Sequence, residues 1–402
     1  MTRMAQRVAE FGTTIFAEMT ALAEAHEAVN LGQGFPDFAA PHFLKEAAKA
    51  AIDADLNQYA PSIGRARLRQ AIAQKMANQY SYAVDPDKEV LITHGATEAL
   101  FATILGLVNP GDEVIIFEPF YDAYVPAVRL AGGVPRFYTL RPPDWGIDPD
   151  QLAALFNDRT RLIIVNTPHN PVGKVYTQAE LAQIATLCQQ YDVVAMTDEV
   201  YEHIIFDGRS HHLLATLPGM AERTVTISSL GKSFSVTGWK VGWLVGPAEL
   251  VQAAYRMHQY MTFAIVNPMQ EAAAVALETA ATNSYYADLA GSFQKRRDML
   301  LHILQNAGLK PILPQGGYFI MVDISELGFA DDVDFCHTLT KEAGVAAIPP
   351  SAFYHNPADG AGLARFAFCK SEALLQKASA RLSDSQLLRR MSKISGSMES
   401  SR

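Results

Sequence analysis

Short apolar runs rich in Val and Ile alternate with longer helix-like segments through most of the chain. The runs occupy residues 90–93, 113–117, 161–165, 193–197, 224–228 and 241–245. Continuous apolar strands separated by helices are typical of a mainly parallel sheet that is covered on both faces. The alternation therefore predicts an α/β fold whose large domain, over residues 46–285, contains a doubly wound sheet.

The character of the sequence changes after about residue 285. A charged helix-like segment precedes three shorter apolar runs, which predicts a smaller α+β domain over residues 286–382. Residues 1–45 are predicted to form an N-terminal arm that belongs in part to this small domain. Residues 383–402 are rich in Ser and charged residues and are predicted to be a flexible tail.

The composition excludes several classes of protein. The 402 residues are 49% hydrophobic, which is incompatible with a chain that is disordered throughout. The 33 basic and 42 acidic residues give a formal net charge of −9, which is unfavourable for nucleic-acid binding. No apolar run approaches the roughly 18–20 residues that span a membrane, and the N-terminus lacks the apolar core of a secretory signal. We therefore expect a cytoplasmic protein that binds neither nucleic acid nor membrane, and Arg3 and Arg7 near the N-terminus leave targeting to an organelle as the alternative.

The cysteines and histidines do not have the spacing of a metal site. The three cysteines, Cys188, Cys336 and Cys369, are too far apart for a metal-binding pair and are expected to be buried thiols. The histidines at positions 203, 211 and 212 fit no standard ligand set. The sequence therefore predicts no metal ion.

Polar side chains suited to catalysis follow the ends of the predicted strands. Asn170 lies in a proline-containing loop after one strand, and Asp198 ends the next strand, with Tyr201 three residues later. Lys232 and Lys240 follow the strand after that. Each of these residues taken alone is more often a helix cap, a turn residue or a solvated side chain. Because ligands of such sheets bind beyond the carboxyl ends of the strands, their combination predicts a binding site at that edge.

These residues belong to a larger set of family motifs. The segments lie at residues 30–37, 57–59, 118–122, 166–171, 197–201 and 229–240. In these motifs and their spacing the chain resembles the class I and II aminotransferases of fold type I, which depend on pyridoxal phosphate. It is most similar to the kynurenine, glutamine–phenylpyruvate and methionine aminotransferases, and the resemblance extends from about residue 10 to residue 382.

The resemblance implies a role for each polar residue. Lys232 corresponds to the lysine that holds the aldehyde of the cofactor and then moves the α-proton of the substrate. Asp198 corresponds to the carboxylate that keeps the ring nitrogen protonated. Asn170 and Tyr201 correspond to the partners of the phenolic oxygen, and Tyr121 to the aromatic side chain that stacks on the ring.

The resemblance also implies a binding site for the cofactor phosphate. Ala96 and Thr97 open a predicted helix, where free N–H groups favour an anion, and Ser229 and Lys240 correspond to further phosphate ligands. In relatives, the tyrosine that corresponds to Tyr59 reaches the phosphate from the other subunit. The resemblance therefore implies a homodimer with shared active sites.

The substrate site is implied in the same way. Arg365 corresponds to the planar, bidentate partner of the substrate carboxylate, with an interdomain salt bridge as the alternative role. The resemblance assigns to this site Phe16, Gly34, Asn170, Phe263 and Arg365. The sequence has no second arginine at the position that dicarboxylate-specific relatives use. Ala25 replaces an acidic residue of some kynurenine-acting relatives, whereas His169 is shared with methionine-acting ones.

Three functions are compatible with these residues. The first is transfer of an amino group from a methionine, glutamine or aromatic type of L-amino acid to a 2-oxo acid, by a ping-pong mechanism. The second is β-elimination from cysteine S-conjugates on the same cofactor. The third is a regulatory domain without catalytic activity that binds pyridoxal phosphate. The intact set of cofactor residues favours an enzyme, and specifically an aminotransferase.

Overall fold

The computed structural model describes residues 4–9, 11–385 and 387. The strands of this part are β1 Val29–Asn30, β2 Val90–His94, β3 Glu113–Glu118, β4 Val134–Thr139, β5 Thr160–Asn166, β6 Val194–Asp198, β7 Thr224–Ser229, β8 Val241–Val245, β9 Lys310–Ile312, β10 Phe319–Asp323, β11 Val345–Ala346 and β12 Leu363–Ala367. The α-helices are α1 Ile15–Ala25, α2 His42–Asp53, α3 Ala66–Tyr80, α4 Gly95–Leu107, α5 Tyr124–Leu130, α6 Pro149–Ala153, α7 Gln178–Gln190, α8 Leu230–Ser233, α9 Ala248–Met261, α10 Asn267–Ala280, α11 Tyr285–Asn306, α12 Asp332–Thr338 and α13 Glu372–Asp384.

A seven-stranded sheet forms the centre of the molecule, and its strand order is β2-β8-β7-β6-β5-β3-β4. The strands are parallel except for β8, which is antiparallel to both of its neighbours. Every residue of β3, β6, β7 and β8 is buried, which agrees with their continuous apolar sequences. The predicted mainly parallel, doubly wound sheet is therefore confirmed.

The reversed direction of β8 has a local cause. Only residues 230–240 separate β7 from β8, and this short connection contains α8 and a 3₁₀ turn at Thr237–Trp239. A short connection suits antiparallel neighbours, whereas a parallel neighbour requires a longer crossover. As a result, Lys232 and Lys240 both lie in one short connection at the edge of the sheet.

Two smaller sheets lie in the remainder of the chain. Strands β9, β10 and β12 form an antiparallel sheet in the order β12-β10-β9, and β1 pairs in parallel with β11. Met19 and Leu31 near the N-terminus are buried in the same apolar cluster as Phe293 and Phe366. The N-terminal segment is thereby joined to the C-terminal part of the molecule.

The C-terminal helix extends slightly further than the sequence indicates. The tail is predicted to begin at residue 383, whereas α13 continues to Asp384. Residue 386 and residues 388–402 of the predicted tail lie outside the described residues. Among the residues that the structure describes, no helix has both the length and the apolar character needed to cross a membrane.

Candidate active site

A cavity of about 240 Å³ lies at the carboxyl edge of the central sheet, where β5, β6 and β7 end. It also reaches the N-terminal segment and the small antiparallel sheet. All but two of the predicted site residues line it: Phe16, Gly34, Ala96, Thr97, Tyr121, Asn170, Asp198, Tyr201, Ser229, Lys232, Lys240 and Arg365. The structure therefore brings together residues from the whole length of the predicted motifs.

The two exceptions are Tyr59 and Phe263, which do not line the cavity of their own chain. Their rings contact each other edge to face, with centroids 5.2 Å apart. Tyr59 is 85% exposed and Phe263 is 48% exposed. A role for either residue in an active site therefore requires a second subunit and stays a prediction.

Lys232 lies in α8, directly after the end of β7. Its Nζ donates a hydrogen bond of 2.7 Å to the hydroxyl of Tyr318. Burial of the amine lowers the pKa of Lys232 to about 8. An amine with this pKa is neutral in a useful fraction of molecules near neutral pH, as both nucleophilic attack and acceptance of a proton require.

Asp198 ends β6 and is buried at the base of the cavity. Its Oδ2 accepts a hydrogen bond of 2.7 Å from the hydroxyl of Tyr124. Burial raises the pKa of Asp198 to about 6, and the hydrogen bond from Tyr124 opposes this shift. The backbone around it is held by Asn166, whose Nδ2 donates to the carbonyl oxygen of Asp198 over 2.8 Å.

The first turn of α4 faces Lys240 across the cavity. Gly95 begins the helix with φ of +70°, and a Cβ at this position would lie 3.3 Å from Nζ of Lys240. Nζ of Lys240 is 3.5 Å from Oγ1 of Thr97. Free N–H groups at a helix N-terminus, a hydroxyl and an ammonium group together form a site that is suited to a phosphate.

Arg365 on β12 is only 2% exposed. Its Nη2 donates to the carbonyl oxygen of Gly32 over 2.9 Å, its Nη1 is 3.5 Å from Oδ1 of Asn170, and its Nε has no hydrogen-bond partner. Burial lowers the pKa of Arg365 to about 10. Among the described residues no carboxylate forms a salt bridge with this guanidinium, so the structure gives no support to a structural salt bridge. A buried cation without an anionic partner is suited to an anionic ligand.

Aromatic rings surround the same guanidinium. Its central carbon lies 5.1 Å from the ring centroid of Phe16, 4.1 Å from that of Phe319 and 5.1 Å from that of Phe353. Such rings stabilise the cation and fix its plane without occupying its N–H groups. The guanidinium is therefore held in place while its hydrogen-bonding capacity toward the cavity stays available.

These features fit pyridoxal phosphate. The amine of Lys232 suits its aldehyde, the carboxylate of Asp198 suits its ring nitrogen, and the first turn of α4 with Lys240 suits its phosphate. Tyr121 and Tyr201 line the space between these groups. The donors and acceptors present are thus the ones that this cofactor requires.

Several residues that support the site are not predicted from the sequence. Tyr124 contacts Asp198, Tyr318 contacts Lys232, and Phe319 packs on Arg365. Tyr124 stands three residues after Tyr121, and Tyr318 follows two consecutive glycines. These positions give only a weak signal, because a tyrosine in an apolar segment has the same appearance whether or not its hydroxyl reaches an active site.

The chain is similar in sequence and in structure to known aminotransferases. A family model described as aminotransferase class I and II matches residues 26–382. The chain is 43% identical over 376 residues to a methionine aminotransferase of Escherichia coli, and the alignment covers 94% of this chain and 97% of that protein. It is 42% identical over 409 residues to a kynurenine–oxoglutarate transaminase of Dictyostelium discoideum, with coverage of 93% and 94%. The solved structure of N-succinyldiaminopimelate aminotransferase from Mycobacterium tuberculosis aligns with a TM-score of 0.91 and 45% identity, and covers 94% of this chain and 99% of that one.

Proposed function

The chain belongs to the class I and II aminotransferases, which depend on pyridoxal phosphate, and we propose that its amino donors are L-amino acids of methionine, glutamine or aromatic type. The acceptor is a 2-oxo acid, and the two half-reactions alternate in a ping-pong cycle. One observation carries the assignment of an α-amino acid as substrate: the buried guanidinium of Arg365, which has no carboxylate partner among the described residues, lines the same cavity as the amine of Lys232. An α-carboxylate on Arg365 holds the α-carbon of an amino acid within the same cavity as that amine.

We assign the following roles to the residues of the cavity. When bound, pyridoxal phosphate supplies an electron-withdrawing ring that stabilises negative charge at the substrate α-carbon. Lys232 holds the cofactor covalently and, once released, moves the α-proton with its neutral amine. Asp198 holds the proton on the ring nitrogen, and Asn170 and Tyr201 donate hydrogen bonds to the phenolic oxygen. The N–H groups of Ala96 and Thr97, with Ser229 and Lys240, bind the phosphate, and Tyr121 stacks on the ring.

The charges of the cavity support the proposed class of donor. Among the described residues, the lysines and arginines that line the cavity are Lys232, Lys240 and Arg365. Each of these already has a role in the proposal, so the cavity residues of a single subunit leave no cation for a second carboxylate on the substrate side chain. Phe16 and Phe319 add aromatic lining, which favours an apolar, thioether or aromatic side chain. The relatives named for methionine and kynurenine agree with such a donor.

The alternative reaction, β-elimination from cysteine S-conjugates, receives no support. The relatives reported above are all named as aminotransferases or transaminases. No contact in the cavity favours elimination over amino transfer. Transamination is therefore the activity that we propose to test first.

We further propose that the working unit is a homodimer with shared active sites. Five exposed apolar side chains support this proposal: Tyr59, Tyr260, Met261, Phe263 and Val266. The rings of Tyr59 and Phe263 contact each other, and exposed apolar side chains that lie together are typical of a protein interface. In the dimer, Tyr59 of each subunit reaches the phosphate site of the other, and Phe263 contributes to the substrate pocket.

The predicted domain boundaries at residues 45, 285 and 382 belong to the same proposal. The separate central and small sheets support them. A cytoplasmic location is also proposed, and the three free, buried cysteines support it, since reduced thiols are typical of that compartment.

The direct test is an absorption spectrum of the purified, cofactor-bound protein. Single L-amino acids are added without any oxo acid, and loss of the visible band reports transfer of the amino group to the cofactor. We expect the band to disappear rapidly with methionine, glutamine and aromatic amino acids, slowly with aspartate, and not at all in Lys232→Ala. A protein that never acquires a visible band with pyridoxal phosphate would contradict the site assignment. Release of pyruvate and ammonia from a cysteine S-conjugate, without any amino transfer, would favour elimination.

A further inference from the structure

The hydroxyl of Tyr318 lies between the amine of Lys232 and the N-terminal segment. It accepts a hydrogen bond of 2.7 Å from Nζ of Lys232 and donates one to the carbonyl oxygen of Gly34. Tyr318 is fully buried, and its ring packs edge to face on that of Tyr201 with centroids 4.9 Å apart. The hydroxyl therefore has a fixed position with Lys232 and Gly34 as partners, and the hydroxyl of Tyr201 is also within hydrogen-bonding distance of it.

The direction of these hydrogen bonds follows from the number of protons. A phenolic hydroxyl has one proton, and a carbonyl oxygen can only accept. The proton of Tyr318 is therefore committed to Gly34, and its oxygen is left to accept an N–H of Lys232. Burial raises the pKa of Tyr318 well above its ordinary value, so the hydroxyl keeps this proton.

This arrangement has a consequence for a neutral amine at Lys232. Such an amine has two N–H groups and one lone pair. With one N–H held by Tyr318, the lone pair cannot be blocked by that hydroxyl, which has no second proton to donate. The hydrogen bond thus restricts the rotation of the amine and leaves its basic site free.

We propose that Tyr318 is a positioning residue that acts through Lys232, by holding one N–H of the released amine so that its lone pair faces the substrate α-carbon. The proposal rests on the function proposed above for Lys232. It assigns to Tyr318 a role in the rate of proton transfer and not in the capture of substrate.

The neighbouring contacts tie this position to the carboxylate site. Phe319 is next in the chain and packs on the guanidinium of Arg365 at 4.1 Å. Arg365 in turn donates to the carbonyl oxygen of Gly32, two residues before the Gly34 carbonyl that holds Tyr318. The amine and the carboxylate-binding guanidinium are therefore both fixed to one short segment, residues 32–34. Segment 32–34 therefore fixes the distance between the amine of Lys232 and a substrate carboxylate bound to Arg365. The side chains of Lys232 and Arg365 need not contact each other for this.

The test compares two ring-preserving variants of the full-length protein. Tyr318→Phe removes the hydroxyl that contacts Lys232. Tyr176→Phe is the matched control, because Tyr176 is equally buried and its hydroxyl has no hydrogen-bond partner. Replacement of Tyr318 by 3-fluorotyrosine, which keeps the hydroxyl but weakens it as an acceptor, gives a second variant in case Tyr318→Phe does not fold.

The first readout is independent of turnover. Cofactor-free protein is labelled with acetic anhydride over a range of pH, and modification of Lys232 is followed by peptide mass spectrometry. Loss of an acceptor destabilises the ammonium form, so we expect the labelling midpoint of Tyr318→Phe to fall by about one pH unit from its position near 8 in the unaltered chain. We expect an intermediate shift with 3-fluorotyrosine and no shift in Tyr176→Phe.

The second readout is kinetic. Above about pH 9, where the amine is mostly neutral in every variant, we expect kcat of Tyr318→Phe to be about ten-fold lower with KM changed less than two-fold. The α-deuterium isotope effect should rise, because proton transfer becomes more limiting. A midpoint and an isotope effect equal to those of Tyr176→Phe, or a higher KM with an unchanged kcat, would overturn the proposal. A shifted midpoint in a protein that catalyses no transamination would instead contradict the proposed function.

Discussion

The hydroxyl of Tyr124 donates a hydrogen bond of 2.7 Å to Oδ2 of Asp198, and both side chains are buried. Burial raises the pKa of Tyr124 well above its ordinary value, so this hydroxyl stays a donor throughout the working range of pH. The contact stabilises the ionised carboxylate against a burial that raises its pKa to about 6. Tyr124 therefore helps to keep Asp198 charged at neutral pH.

Tyr124→Phe is expected to raise the pKa of Asp198 further. Asp198 loses its charge as the pH falls through this pKa, so the acid limb of the kcat/KM profile should move to higher pH in the variant. Asp198→Asn, which has no charge to lose, should be slow at every pH. The measurement is kcat/KM for one amino donor between pH 5 and 9. An acid limb in Tyr124→Phe that coincides with that of the unaltered enzyme would refute the coupling.

Arg365→Ala is expected to weaken the capture of every α-amino acid to a similar extent. Loss of two charge-assisted hydrogen bonds predicts a fall in kcat/KM of roughly 100-fold. Arg365→Lys should recover only part of it, because an ammonium group cannot form a planar bidentate pair. Steady-state kinetics with methionine, glutamine and phenylalanine test the claim. A loss confined to one of these donors would place Arg365 in the side-chain pocket.

Gly242→Ala is expected to weaken cofactor binding. Gly242 lies on β8 against the start of α4, and a Cβ there would lie 2.6 Å from the backbone nitrogen of Ala96. The phosphate site must then shift, at a cost of about 1–3 kcal/mol, which raises the Kd for pyridoxal phosphate about 5- to 150-fold. Gly238→Ala is the control, because a Cβ at Gly238 meets nothing within 4 Å. Equal Kd values for the two variants in a fluorescence titration would be inconsistent with this packing.

Much of the central sheet could be predicted because its strands are buried on both faces. The predicted runs 113–117 and 224–228 differ from β3 and β7 by one residue each, and 241–245 coincides with β8. Strand β4 was not predicted, since it is partly exposed at the edge of the sheet and contains Pro135. The apolar run of β8 does not itself indicate its reversed direction, and the signal in the sequence is the short connection of residues 230–240 that precedes it.

The candidate site likewise has residues that could be predicted from the sequence and contacts that could not. Lys232 and Asp198 could be identified because they lie in family motifs, and Arg365 because it corresponds to the carboxylate-binding arginine of the family; the cavity brings the three together. The contacts of Tyr318 could not be predicted, because in sequence it does not differ from Tyr176, a buried tyrosine whose hydroxyl has no partner. Which buried hydroxyl meets a polar group depends on tertiary contacts between residues far apart in the chain.

Glu202→Gln is expected to destabilise the fold in a pH-dependent way. Glu202 is buried and accepts hydrogen bonds from Lys75 over 2.6 Å and from Ser228 over 2.7 Å. Burial alone would raise the pKa of Glu202, but the charge of Lys75 and the hydrogen bonds from Lys75 and Tyr80 hold this pKa well below its ordinary value. The stabilisation is therefore complete above about pH 4.5 and is lost as the pH falls toward the depressed pKa.

At pH 7 the variant leaves Lys75 buried without its anionic partner, which costs about 3–5 kcal/mol in the free energy of unfolding. Urea denaturation at pH 7 and at pH 3 measures the difference, which should shrink at the lower pH. Glu46→Gln is the control, because Glu46 and Lys49 form an exposed pair whose loss should cost less than about 1 kcal/mol. If Glu202→Gln lowers the free energy of unfolding by the same amount at pH 7 and at pH 3, loss of the ion pair with Lys75 is not the cause.

Mixed dimers test the proposed sharing of active sites. Lys232→Ala and Tyr59→Ala are each expected to lose most activity as homodimers. After they are mixed and allowed to exchange subunits, a hybrid contains one site with both Lys232 and Tyr59 intact, so activity should reappear. Recovery is measured against mixtures in which exchange is prevented by cross-linking. If no activity returns while mass spectrometry shows that hybrids have formed, Tyr59 does not act across the interface.

The hydrogen bond from Arg365 to the carbonyl oxygen of Gly32 joins residues 333 positions apart. A ribosome that adds about 5–20 residues per second needs roughly 20 to 70 s to travel between them. The strands of the central sheet, and Lys232 with them, are synthesised well before this contact can form. In the cell, Lys232 therefore exists before the contact between Arg365 and Gly32 can form, and the proposed carboxylate site is completed only in the last stage of synthesis of the chain.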